Sequence, residues 1–167
     1  ITASAIYPVL GTKARIDDRF KNTALTLDGY KYTIGTKYLD PNGTIDLEQD
    51  MEGIKWLRQN IEGSPVVLEA FTPSYRWGAR ISVNTGLPTI IGWKWHQEQQ
   101  RFEYRHLIEE RITDVGTIYN GNPNTEIIFD LLAKYEVEYI YIGDVESIYY
   151  SPTGISKLKS GLNGTLS

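Results

Sequence analysis

The sequence predicts an α/β fold: a three-layer sandwich with a mostly parallel central sheet, Rossmann-like in outline. An irregular N-terminal segment wraps it. Three observations predict this. The runs VVLEAF (66–71), PTIIGW (88–93) and VEYIYIG (137–143) are short and apolar, as buried parallel strands are. Stretches with helical spacing of apolar residues lie between and before them. The resulting order is helix, strand, loop, strand, helix, helix, strand, an alternation that stacks helices on a sheet. All 167 residues are read as one domain, with residues 1–45 as an extension packed on it.

The extension is tyrosine-rich, is broken at Pro8 and carries a little strand, with Asp28-Gly29 as a turn. DPNG, residues 40–43, is a second and clearer turn. A helix follows from Asp46, because Leu47, Met51, Ile54, Leu57 and Ile61 form one stripe. Asp46 is its cap, with Gln49 three residues on as in a capping box, and Gly63 and Pro65 end it. After the 66–71 strand, TPSYRWG (72–78) is a loop leading through RISVNTG to the second strand. Residues 95–115 are helical with a break near the middle. A second amphipathic helix covers 124–135, with Ile127, Ile128, Leu131 and Leu132 inward and Asn122-Pro123 at its start. No internal repeat is visible.

Composition narrows the chemistry. Hydrophobic content of 41% and charged content of 23% are those of a globular chain. No run approaches the ~20 apolar residues of a membrane-spanning helix, and no secretory leader is recognisable at the start. The first residue is isoleucine and the single methionine is Met51, so the expectation is a segment of a longer protein. Net charge is −4 with scattered basic residues, which argues against nucleic acid as a partner. Zero cysteines exclude thiol catalysis, disulfides and cysteine-based zinc sites. Two triplets, Asn42-Gly43-Thr44 and Asn163-Gly164-Thr165, fit the glycosylation pattern, which also arises often by chance.

No catalytic constellation emerges. His96-Gln97-Glu98 resembles the histidine–glutamate element of zinc deaminases but lacks the cysteines that complete it. His106 shares a helix face with Glu109 and Glu110, yet a catalytic zinc wants three protein ligands. No nucleophile elbow is present, and Gly78, Gly86 and Gly92 are too far apart to cradle a phosphate. No cofactor and no metal are expected. Glu69, with Glu98 or Asp144, supplies the carboxylate pair an acid/base hydrolase would need, although Glu69 beside Arg76 or Arg80 reads more readily as a structural ion pair.

A ligand surface remains. Glu69, Arg76, Arg80, His96, Glu98 and Arg101, with Tyr75, Trp77, Trp93 and Trp95 among them, are groups that stack on sugars or clamp carboxylates and phosphates. Trp93, ending an apolar run, is expected to be core. His96, Glu98 and Arg101, past the strand end, are the ligand rim.

LDGYKY (27–32), GIKWL (53–57), GSPVVLEA (63–70), RISVNTGLPTIIGW (80–93) and His96-x-Glu98-x-x-Arg101 occur in this order. The set resembles the C-terminal soluble part of the YYY family of multi-spanning membrane proteins of Chloroflexi and archaea, over nearly the whole chain. The loop before Arg80 departs from the pattern: in SYRWGAR only Tyr75 stands for a tyrosine-rich run. The family is similar to membrane glycosyltransferases that use lipid-linked sugars. The resemblance therefore implies an extracytoplasmic domain at the cell membrane. Its partners would be the membrane-embedded portion of its parent and a lipid-linked sugar or glycan, and its catalytic residues would lie elsewhere. The alternatives are a self-contained carboxylate-dependent hydrolase and a purely structural module.

Overall fold

The computed structural model describes residues 2–19 and 26–161, and 59% of it is helical. The chain divides into two compact units, Ile1–Ile34 and Gly35–Ser167.

In the first unit the expected irregular segment is helical. Helix α1 (Thr2–Ile6) passes through a π-helical turn, Tyr7–Gly11, into α2 (Thr12–Arg19). Pro8 has no N–H to give and sits at the start of the widened turn, where the Thr12 N–H reaches back to the Pro8 and Val9 carbonyls. The proline thus widens the helix by a turn instead of breaking it. Thr26 to Ile34 form turns and one 3-10 turn, and the Asp28 side chain accepts the Tyr30 N–H at 2.9 Å.

The second unit corrects the predicted fold class. There is no three-layer sandwich and no central parallel sheet. The described residues hold two sheets of two strands each. Strands β1 (Lys37–Asp40) and β2 (Gly43–Asp46) form an antiparallel hairpin across the DPNG turn. Helix α3 (Leu47–Asn60) follows, and the Asp46 side chain accepts the Glu48 N–H at 3.0 Å. The predicted stripe is its inner face: Leu47, Ile54 and Leu57 are buried. Strand β3 (Val66–Leu68) pairs in parallel with β4 (Val137–Ile140), and this pair is all that remains of the expected sheet.

The missing central strand has a physical cause. Residues 88–93 run beside β3, but the only bond of Pro88 to that strand is from its carbonyl, which accepts the Val67 N–H at 2.9 Å. Pro88 cannot donate to a ladder, and Gly86 at φ +78° turns the chain immediately before it. Ile90 and Ile91 are buried as strand residues would be, without pairing as a strand. RISVNT, which leads into that segment, is helix α4 (Arg80–Thr85).

The helical remainder follows the sequence. Helix α5 (Lys94–Gln100) breaks at Arg101, and α6 (Arg105–Asn120) follows a 3-10 turn. Helix α7 (Thr125–Lys134) is capped by Asn124 and buries Ile128 and Leu132, while Ile127 is exposed. Helices α8 (Asp144–Tyr149) and α9 (Pro152–Lys159) complete it. The largest apolar cluster joins Leu68, Ile90 and Ile91 to Ile108, Val115, Ile118 and Tyr119 of α6, with Ile128, Leu132, Ile155 and Leu158 around them. Helix α9 crosses the end of α6 so closely that a Cβ on Gly154 would stand 2.1 Å from the Tyr119 carbonyl oxygen.

Candidate functional site

Two of the predicted ligand residues are interior. The guanidinium of Arg80 lies between two carboxylates. Its Nε donates to Asp50 Oδ2 at 2.7 Å, and Nη1 and Nη2 donate to Glu146 Oε1 and Oε2 at 3.2 and 2.8 Å. All three side chains are buried. Asp50 also accepts from the Trp77 indole at 2.8 Å and from the Tyr141 hydroxyl at 3.1 Å. Glu146 also accepts the backbone N–H groups of Ala70 and Gly143, both at 2.8 Å. Burial alone would lower the Arg80 pKa, but Glu146 and Asp50 outweigh it and raise it. Arg80 therefore stays charged, and at 2% exposed it lies out of a ligand's reach.

Glu69 is interior too. Its two carboxylate oxygens accept the N–H groups of Ile81 and Ser82, each at 2.9 Å, which satisfies the otherwise unpaired first turn of α4. Burial raises its pKa, against the pull of those two N–H groups and of Arg80. Neither the ligand role nor an acid/base role fits a carboxylate used this way. The predicted Glu69–Arg80 ion pair is a through-space attraction beside two backbone hydrogen bonds.

The other interior polar groups have comparable structural duties. Asp144 accepts the Asp46 N–H at 2.9 Å. Asp40 accepts the Tyr149 hydroxyl at 3.0 and 2.9 Å, and burial together with that carboxylate pushes the Tyr149 pKa up to about 12. A polar cavity of about 240 Å³ opens beside Asp50, with Gln49, Asp144, Ser147 and Lys159 around it. Among the described residues no three His, Asp or Glu side chains gather as a metal site.

The two arginine-loop and helix residues Arg76 and His96 do come together. Ser74, Tyr75 and Arg76 form one wall of an open groove of about 280 Å³, and Trp93, Trp95 and His96 form the other. The loop carrying the first wall is fastened at both ends. Phe71 N–H donates to the Tyr150 hydroxyl at 3.1 Å, and Trp77 and Arg80 hold Asp50. Its base is tight: a Cβ on Gly78 would lie 2.0 Å from Thr72 Oγ1. Tyr75 sits at φ +63°, rare for an aromatic residue, and the residue is 96% exposed. Arg76 makes one long ion pair, 3.9 Å to Asp40, which leaves most of its donors unused.

Trp93, expected in the core, is 48% exposed on the second wall and meets His96 edge to face at 5.3 Å. The other two rim residues stand off the groove. Glu98 is held between Lys94 at 3.9 Å and Arg105 at 3.6 Å. Arg101 is the exposed residue after α5 and makes no ion pair among the described residues. Sequence reasoning missed Asp50 and Glu146. For Asp50 a signal existed: an acid inside the apolar stripe of α3, three after Leu47 and four before Ile54.

No family model matches the chain, and no curated protein or solved structure matches it either.

Proposed function

We propose that this chain is the extracytoplasmic soluble domain of a polytopic membrane protein resembling lipid-linked-sugar glycosyltransferases, and that it recognises donor or acceptor without catalysing transfer. The observation that supports it is the groove. Three exposed rings, Tyr75, Trp93 and Trp95, flank one arginine and one histidine. Flat aromatic faces suit the C–H faces of a pyranose, and a largely unengaged guanidinium suits a phosphate. The ordered motifs described above favour the same ligand class. No helix among the described residues is long and apolar enough to cross a membrane, so the membrane part belongs to the proposed partner.

A water-soluble short-chain prenyl-phosphate sugar, titrated while tryptophan emission is read, tests this. Saturable quenching that Arg76→Ala weakens about tenfold or more supports it, that being the loss expected for one charge-assisted contact. Failure of wild type to bind that probe and free glycans alike removes it. One observation favours the structural-module reading instead: Arg80, Glu69 and Glu98 are all engaged internally. That module binds nothing small. The hydrolase reading has no such support, because Glu69 is spent on the Ile81 and Ser82 N–H groups and Glu98 on Lys94 and Arg105.

A further inference from the structure

Strand β4 has an open edge. None of its residues is buried, whereas Val67 and Leu68 of its partner β3 are. The Tyr141 N–H donates to the Leu68 carbonyl at 2.9 Å, so alternation along the chain turns the N–H groups of Ile140 and Ile142 to the opposite side. Among the described residues nothing accepts from either, and β3 is the one strand paired with β4. Edges are commonly blunted by charged side chains or proline, and Ile140-Tyr141-Ile142 carries neither.

Two cavities of opposite character lie along this edge, both walled by α3. One, of about 210 Å³, is apolar, with Trp56, Leu57, Val67, Tyr139 and Ile140 around it. The other is the polar cavity of about 240 Å³ beside Asp50, which reaches Ile142 and Gly143. Tyr141 lines both and divides them. Its hydroxyl donates to Asp50 Oδ1 at 3.1 Å, and α3 passes so close that a Cβ on Gly53 would stand 2.5 Å from the hydroxyl oxygen. The partition is therefore pinned. The polar cavity is acidic: Asp46, Asp50 and Asp144 line it against one cation, Lys159. Arg80 behind Asp50 is answered by Glu146. Counting Lys37 as well, opposite Asp46 across the hairpin, four carboxylates still face three cations.

We propose that the edge of β4 binds an extended peptide as an added strand, with a large apolar side chain in the first cavity and, two residues on, a lysine or arginine in the second. An open strand edge is matched by backbone donors and acceptors at strand spacing, which only another extended chain presents. Main-chain bonds give such a complex its affinity, and the cavities choose the side chains. The spacing agrees. Gly53 walls the apolar cavity and Gln49 the polar one, about 6 Å apart along α3. Residues two apart on a strand share a face and lie about 6–7 Å apart. This site is separate from the groove and stands whether or not the groove takes a sugar.

Fluorescence anisotropy of a labelled eight-residue peptide tests it. The probe is threonine and valine throughout, save phenylalanine at the fourth position and lysine at the sixth. Two companion peptides replace the lysine by glutamate or methylate the backbone nitrogens. Wild type should bind the lysine peptide saturably, the glutamate peptide about tenfold or more weakly, and the methylated peptide not measurably. Gln49→Lys adds a cation to the acidic cavity at an exposed position. It should weaken the lysine peptide about tenfold and strengthen the glutamate peptide. Trp56→Ala, at a residue 55% exposed, should weaken both by removing a wall of the apolar cavity. Melting temperatures of the variants are checked first, and Arg76→Ala should retain peptide binding. Absence of saturable binding of the lysine peptide to wild type overturns the proposal. Equal binding of the lysine and glutamate peptides does so too, as does undiminished binding of the methylated one. Sedimentation of wild type alone addresses the other occupant: a dimer that Gln49→Lys/Trp56→Ala dissociates would give the edge to a second copy of the chain and overturn the peptide site.

Discussion

Arg80 and Glu146 form a two-pronged pair in the interior, with nitrogen–oxygen distances of 3.2 and 2.8 Å between residues 66 apart in the chain. With Asp50 on the other side, one guanidinium joins α3, α4 and α8. Because α4 follows directly from the loop that carries Tyr75 and Arg76, this junction also fixes one wall of the groove.

Arg80→Met should therefore cost about 3–5 kcal/mol of stability, because it leaves two buried carboxylates without their cation. Chemical denaturation at pH 7 measures it. Arg80→Lys should recover only part of the loss, since an ammonium cannot reproduce the two-pronged contact. A cost near zero for Arg80→Met would mean the carboxylates find water or each other's protons without difficulty.

Glu69 gives stability a pH dependence of definite sign. Its folded pKa is raised from 4.5 by burial, so the folded chain keeps the proton to higher pH than the unfolded chain does. The contribution is full below about pH 4.5 and is lost as pH rises through the folded value. Glu69→Gln should flatten that decline. Parallel stability–pH curves for the two proteins would contradict the assignment.

Two helical glycines should respond in opposite directions. Gly154→Ala places a methyl 2.1 Å from the Tyr119 carbonyl oxygen and 2.4 Å from that of Asn120, so α9 must move. A loss of about 1–3 kcal/mol or more follows. Gly116 lies inside α6 with nothing nearer than Asn120 Nδ2 at 4.0 Å. Gly116→Ala should gain about 0.5–1 kcal/mol from helix propensity. Thermal melts of the two variants decide both.

Tyr75 should show a trade between stability and binding. Its left-handed backbone is unfavourable for a side chain, and its exposed ring has little packing to lose. Tyr75→Gly should leave stability unchanged or raise it by up to about 1 kcal/mol. It should weaken the groove's hold on a sugar ring at the same time. A fall in melting temperature would show that the ring packs on the fold in solution.

Helix α3 was legible from its stripe and its Asp46 cap, and α7 from its stripe, because their inner faces meet the core at helical spacing. The sheet was misread for a reason that lies in the residues. Short apolar runs satisfy a buried strand and a buried irregular segment equally well, and only Pro88 marked residues 88–93 as the latter. RISVNT reads in the sequence only as a lead-in to the second strand, yet Glu69, twelve residues earlier than Ile81, caps it into a helix. That decision is tertiary and leaves no local trace. The groove shows the same division. Arg76 and His96, singled out by residue type, line one groove, whereas Arg80 was misplaced because its partners stand 30 and 66 residues away.

The most direct test of the groove is calorimetric titration of the short-chain prenyl-phosphate sugar into wild type and into Arg76→Ala/Trp95→Ala. The account predicts saturable one-site binding to wild type, lost in the double variant at an unchanged melting temperature. Binding retained by the double variant, or none to wild type, would contradict it.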